Sequence, residues 1–152
     1  MDIMNDLVYT TGMVLFGAAI ALVLAAATSM ILLRQSWPAI REEVVERDST
    51  AYGVLTGSVF VAVCALVGVA NRQSISPVWD PTLTERVGFL LLWVIFGQIL
   101  SFILCYLVNM ILFGLTPARV TKELRDDHNP SVAAVTGMTY LGVSMLVVFR
   151  IF

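Results

Sequence analysis

Along most of this chain apolar positions do not alternate with polar ones; they run together. Four stretches, residues 7–33, 51–70, 87–113 and 132–149, are almost wholly apolar. With every face apolar, periodicity says little and length decides. About 20 residues, at roughly 1.5 Å each, carry a helix across a hydrocarbon core of roughly 30 Å. The second and fourth runs just meet that length, and the first and third exceed it, so those two tilt or protrude. Each run predicts a membrane-spanning helix. The first run raises the question of a signal peptide, because Ala25, Ala26 and Ala27 resemble a cleavage point. It opens with Asp2 and Asp6 in place of Lys or Arg, however, and stays apolar to Leu33, so it is read as a retained span.

Polar positions are concentrated in two islands. The stretch TPARVTKELRDDHNPS (116–131) separates the third and fourth runs, and SWPAIREEVVERDSTA (36–51) separates the first and second. Thr116 is placed to N-cap a short helix whose first turn accepts Pro117, where a missing N–H costs nothing. Val120 and Leu124 then share one face, against the bilayer surface or the ends of the spans. Asn129 before Pro130 is a second start signal, for the fourth span. In the first island Ile40 and Val44 repeat the apolar pair, and Ser36 and Ser49 take the capping positions. Two uses are open for these helices. One is a solvated connection between spans; the other is a docking surface for a cytoplasmic or membrane partner, carried by Glu43, Arg47, Glu123, Arg125 and Asn129. Their mixed charge makes them poor phosphate binders, which need net positive charge.

The islands recur because a larger unit recurs. At an offset of 80 residues, the separation of Phe16 from Phe96, Phe16-Gly17 falls on Phe96-Gly97 and Glu43 on Glu123. Thr56-Gly57 likewise falls on Thr136-Gly137. One gapless register aligns both spans and the island of each half, so the chain is read as a duplicated two-span unit, residues 1–75 and 76–152. A unit with an even number of spans is repeated in the same orientation, giving parallel repeats about an axis along the membrane normal.

Within the spans, Gly97, Gln98, Ser101, Cys105 and Asn109 fall in an arc of roughly 120° at helical spacing and form one small, polar face. The matching residues of the first span are Gly17, Ala18, Ala21, Ala25 and Ser29, a ladder that lets helix backbones approach closely. Gly53 with Gly57, and Ala133 with Gly137, repeat the theme in the other two spans. An unpaired amide in hydrocarbon costs several kcal/mol, on the order of a lost hydrogen bond or more. Gln98 and Asn109 must therefore face other helices or water. Gly17, Ala21, Ser29, Gly57, Gly97, Gln98, Ser101, Asn109 and Gly137 are thus candidates for helix packing or for lining a path in an oligomer.

Composition narrows the classes. The chain is 59% hydrophobic and 13% charged, with mean hydropathy +0.88, too apolar for the polar shell of a soluble domain. A net charge of -2 gives no reason to expect nucleic acid as a partner. Lys and Arg number six in the two islands and their edges against three elsewhere, which predicts islands in the cytoplasm and both termini outside. No acidic or basic residue lies deep in a span, so a proton relay lacks its usual groups. Cys64 and Cys105 lie within apolar runs, and His128 is the single histidine, most simply a loop residue though its type suits a metal shared between subunits. Enzyme signatures are absent, and no cofactor or metal is expected. Trp37, Trp79 and Trp93 are expected to anchor at the membrane interface, and the Pro-broken segment 71–86 to be ordered only by its neighbours.

A small-residue span, a helix opened by Thr116 and Pro117 and carrying Glu123, then a span led by Asn129 with Gly137, resembles domain-of-unknown-function family 350. The resemblance covers nearly the whole chain; the first half departs from it at Ser49, where the pattern has Asn, and at Pro38, displaced by one position. It implies a small bacterial inner-membrane protein of the YjfL-like kind, with two such units in tandem. By association it implies a part in envelope maintenance or stress. The reading is an all-α integral membrane protein: four transmembrane helices as two parallel two-helix repeats, each with a short cytoplasmic amphipathic helix. Homo-oligomers through the small-residue faces are expected. The function expected is a non-enzymatic scaffold in the bilayer that docks a partner, with a small oligomeric channel as the alternative.

Overall fold

The computed structural model describes residues 3–73 and 82–151; Trp79 and the middle of segment 71–86 lie outside the described residues. Six α-helices occur among them, and no strand: α1 (Ile3–Leu33), α2 (Trp37–Val45), α3 (Thr50–Gln73), α4 (Leu83–Phe113), α5 (Pro117–Arg125) and α6 (Pro130–Ile151). α1, α3, α4 and α6 each contain a stretch long and apolar enough to cross a membrane, Thr10–Leu33, Thr50–Arg72, Thr84–Phe113 and Pro130–Phe149. These spans agree with the apolar runs to within a few residues. α4 begins ahead of its apolar run because a capping box starts it: Thr82 Oγ1 accepts from Glu85 N, and the Glu85 carboxylate accepts from Thr82 N at 2.8 Å.

The two connections between long helices are built alike. α1 ends where Arg34 turns left-handed at φ 52°, and α4 ends at Gly114, φ 64°. Only Gly takes that conformation at no steric cost. Each short helix then starts on an extended residue, Ser36 or Thr116, followed within two positions by proline. Thr116 caps as expected, its Oγ1 accepting from Arg119 N, whereas Ser36 makes no side-chain cap. Each short helix is followed by a second left-handed residue, Asp48 (φ 52°) or His128 (φ 46°). The Glu43 carbonyl then accepts from Ser49 N and the Glu123 carbonyl from Asn129 N, both at 2.9 Å.

α3 and α6 are the central pair of the bundle; α1 packs on α3 and α4 on α6, with α3 also reaching α4. α3 and α6 run side by side in the same direction, since His128 at the start of α6 meets Ser49 and Tyr52 at the start of α3, and Gly137 meets Ser58 further along. Tyr52, Leu55, Val59, Ala62, Val63 and Leu66 form the buried face of α3, against Ala133, Tyr140, Val143 and Val147 of α6. Their outer faces, and most of α1 and α4, carry exposed Leu, Ile, Val and Phe. In water such a surface would drive aggregation; in lipid it costs nothing. The short helices lie against the ends of the long ones. α5 touches α1 and α6, and α2 touches α1 and α3.

Candidate functional site

Two groups of side chains stand apart from simple apolar packing: a polar row inside the bundle, and the paired turns where the short helices meet α3 and α6.

The row is the one expected on α4, and the structure turns it inward. Ser101, Cys105 and Asn109 are buried and Gln98 is half-buried. Gln98 Nε2 donates to Thr28 Oγ1 of α1 at 2.5 Å and to Tyr140 Oη of α6, so one amide ties three helices. Asn109 Nδ2 donates to Cys105 Sγ at 3.3 Å, and Cys105 Sγ reaches the Thr136 carbonyl at 3.8 Å. The hydroxyls of Ser29, Ser101 and Thr136 are enclosed without a hydrogen-bond partner among the described residues. These are uncharged side chains, which suits them to hold helices together in a low-dielectric interior.

The small residues divide. Ala21 is buried, and a Cβ at Gly17 would lie 3.4 Å from Val67 Cγ1. At Gly97 it would lie 3.1 Å from Leu66 Cδ2, and at Gly137 only 2.8 Å from Ser58 Oγ. These three glycines mark close helix approach. Gly57, 80 residues before Gly137, is exposed with open space around it, so it plays no part in packing within the chain.

At the paired turns the five docking candidates also divide. Glu43, whose side chain is 13% exposed, bridges to Arg47 Nη1 at 3.0 Å, while Arg47 Nη2 bridges to Glu42 at 2.9 Å. Glu123 accepts from Asn129 Nδ2 at 3.0 Å and lies 3.8 Å from Arg119 Nε. Asn129 Oδ1 accepts from Ser131 N and Val132 N, the expected cap of α6. Glu43, Glu123 and Asn129 thus hold the turns, and only Arg47 and Arg125 are open to solvent. Between the turns lies a cleft of about 310 Å³ lined by Glu43, Arg47, Ser49, Thr50, His128 and Pro130. His128 Nδ1 shares a 3.4 Å hydrogen bond with Ser49 Oγ and lies 3.9 Å from Glu43 Oε2. Its ring sits 5.9 Å from that of Tyr52. Among the described residues no group of three or more His, Cys, Asp or Glu is placed to hold a metal ion.

Sequence reading missed Thr28, Tyr140 and the Thr136 carbonyl as partners of the polar row. The available signal was Tyr140, an aromatic with a polar handle deep in an apolar span, which must find a partner when buried. Trp37 is exposed at the start of α2, in keeping with an interfacial anchor, while Trp93 is half-buried and stacks edge-on with Phe96 at 6.2 Å.

No curated protein and no solved structure matches the chain. A family model does match, and it spans residues 2–149. It therefore takes in both polar islands and all four long apolar helices. By that match, the chain belongs to the family described as Domain of Unknown Function (DUF350).

Proposed function

We propose that this chain is a non-enzymatic scaffold embedded in the membrane, whose two short helices dock a partner at the bilayer surface. The observation that carries the reading is the seating of those helices. Ile40, Val120 and Leu124 are 1%, 2% and 0% exposed, while Arg41, Glu42, Glu46 and Arg47, and Arg119, Lys122 and Arg125, face outward. Two charged rows are thereby presented on fixed supports, which lowers the ordering cost of binding. In this reading the chain is two parallel copies of a two-span unit. The matching left-handed residues and turn hydrogen bonds of the two connections support that arrangement. The short helices lie in the cytoplasm of a bacterial inner-membrane protein, both termini lie outside, and copies associate through exposed small residues such as Gly57. The resemblance to proteins of envelope maintenance suggests where such a scaffold acts. A channel between copies is less well supported, because Ser101 and Asn109 are enclosed within one chain rather than on its outer surface.

The test is the composition of the particle extracted from its native membrane in mild detergent. A stoichiometric second polypeptide is expected, and it should be lost in Lys122→Glu/Arg125→Glu while the chain's own assembly persists. Those residues are exposed, so the change spares the turn that Glu123 holds. A homo-oligomer with no second polypeptide, before and after the change, removes the docking reading.

A further inference from the structure

We propose that His128 is a proton-operated latch between the two connections: when charged, it closes onto Glu43 and ties the α5–α6 turn to α2. The inference stands apart from the docking reading, since it concerns only how the two turns are held to each other.

The geometry is specific. His128 comes from the turn before α6, yet its contacts belong to the other connection: Glu43 of α2, Ser49 of the following turn and Tyr52 of α3. The two oxygens of Glu43 are divided. Oε1 accepts from Arg47, whereas Oε2 is enclosed with no hydrogen-bond partner and faces His128 Nδ1 at 3.9 Å. A shift of about 1 Å brings that pair to hydrogen-bond distance. An enclosed carboxylate oxygen without a donor is unfavourable, and a charged imidazole is the nearest group able to satisfy it. The left-handed backbone at His128 is one that His tolerates better than most residues.

Other charges facing the ring set the balance. Arg47, in the turn after α2, opposes a positive imidazole, but Glu42 and Glu43 both hold it. Tyr52 from α3 is neutral, and Ser49, Thr50 and Pro130 complete the cleft without charge. Asp127 precedes His128 in its own turn, and Arg125 and Asp126 end α5, one of each sign. Asp48 precedes Ser49 in the first turn, so the two turns, residues 46–49 and 126–129, carry Glu46, Asp48, Asp126 and Asp127 against Arg47. Histidine is the side chain whose charge changes between about pH 5 and 8. In the proposal only a positive imidazole closes the latch, so the contact is expected at acid pH and is expected to open as pH rises.

A double-mutant cycle on the full chain in detergent tests this, with thermal unfolding midpoints of wild type, Glu43→Gln, His128→Asn and the double variant. Asn keeps the left-handed backbone and a polar contact for Ser49 but takes no charge, so fold and latch are separated. At about pH 5.5 the two positions should couple by about 1–4 °C, the scale of a partly exposed ion pair, and at about pH 8 the coupling should vanish. Equal coupling at both pH values would reduce the contact to ordinary packing and overturn the proposal. So would no coupling at either.

Discussion

At Gly137 a methyl group has nowhere to go, while at Gly57 it would enter open space. The pair separates two meanings of a small residue in a membrane helix. Gly137→Ala must push Ser58 aside where α3 and α6 are in closest contact, and should destabilise the chain by about 1–3 kcal/mol, the usual cost of overpacking. Gly57→Ala should leave the fold within about 1 kcal/mol of wild type, or raise its stability through helix propensity. Unfolding of both variants in mixed micelles checks the contrast; equal losses would mean that the small face of α3 is packed after all. Ser29 and Asn109, also register partners, show the same principle. Both are buried, but only Asn109 finds a partner, Cys105 one turn back on its own helix, while the Ser29 hydroxyl has none among the described residues.

Among elements, the turn into α6 is where a single side chain does most. Asn129 caps two backbone N–H groups and holds the Glu123 carboxylate. Asn129→Ala should therefore cost about 1–2 kcal/mol, the upper part of the range for a lost cap, and Asn129→Ser should recover much of it. Ser49→Ala, at the register position in the first half, should cost less, since its hydroxyl is engaged by His128 and by no backbone N–H among the described residues. Chemical unfolding of the three variants followed by circular dichroism tests the ranking. This turn was legible beforehand because its signals are local, a polar cap with a proline after it, whereas the bond from Asn129 to Glu123 was not foreseen. α4 starts four residues ahead of its apolar run, at the capping box of Thr82 and Glu85, a signal that hydropathy alone does not register.

At the scale of the whole molecule, α2 and α5 lie at one end of the bundle, where His128, in the turn after α5, comes within 3.9 Å of Glu43 of α2. Arg41→Cys and Lys122→Cys, both exposed, should thus be modified by a membrane-impermeant maleimide from the same side of sealed vesicles. If the Lys and Arg bias sets orientation, that side is the cytoplasm. Labelling from opposite sides would break both the topology and the parallel arrangement of the two halves.

The sequence by itself determined four spans, their approximate ends and the two short helices between them. Each rests on length, apolarity and capping, which act within a few residues and leave the chain in lipid no other way to satisfy its backbone. The offset of 80 residues also set Gly57 against Gly137 and Glu43 against Glu123 in the sequence. Tertiary structure decided which face of each span turns inward. A span apolar on every side carries little moment to orient it, so the choice falls to the fit of neighbouring helices and to neutral polar contacts. That is why α4 buries its polar row against α1 and α6, why Gly137 packs and Gly57 does not, and why His128 ends beside a glutamate of the other half.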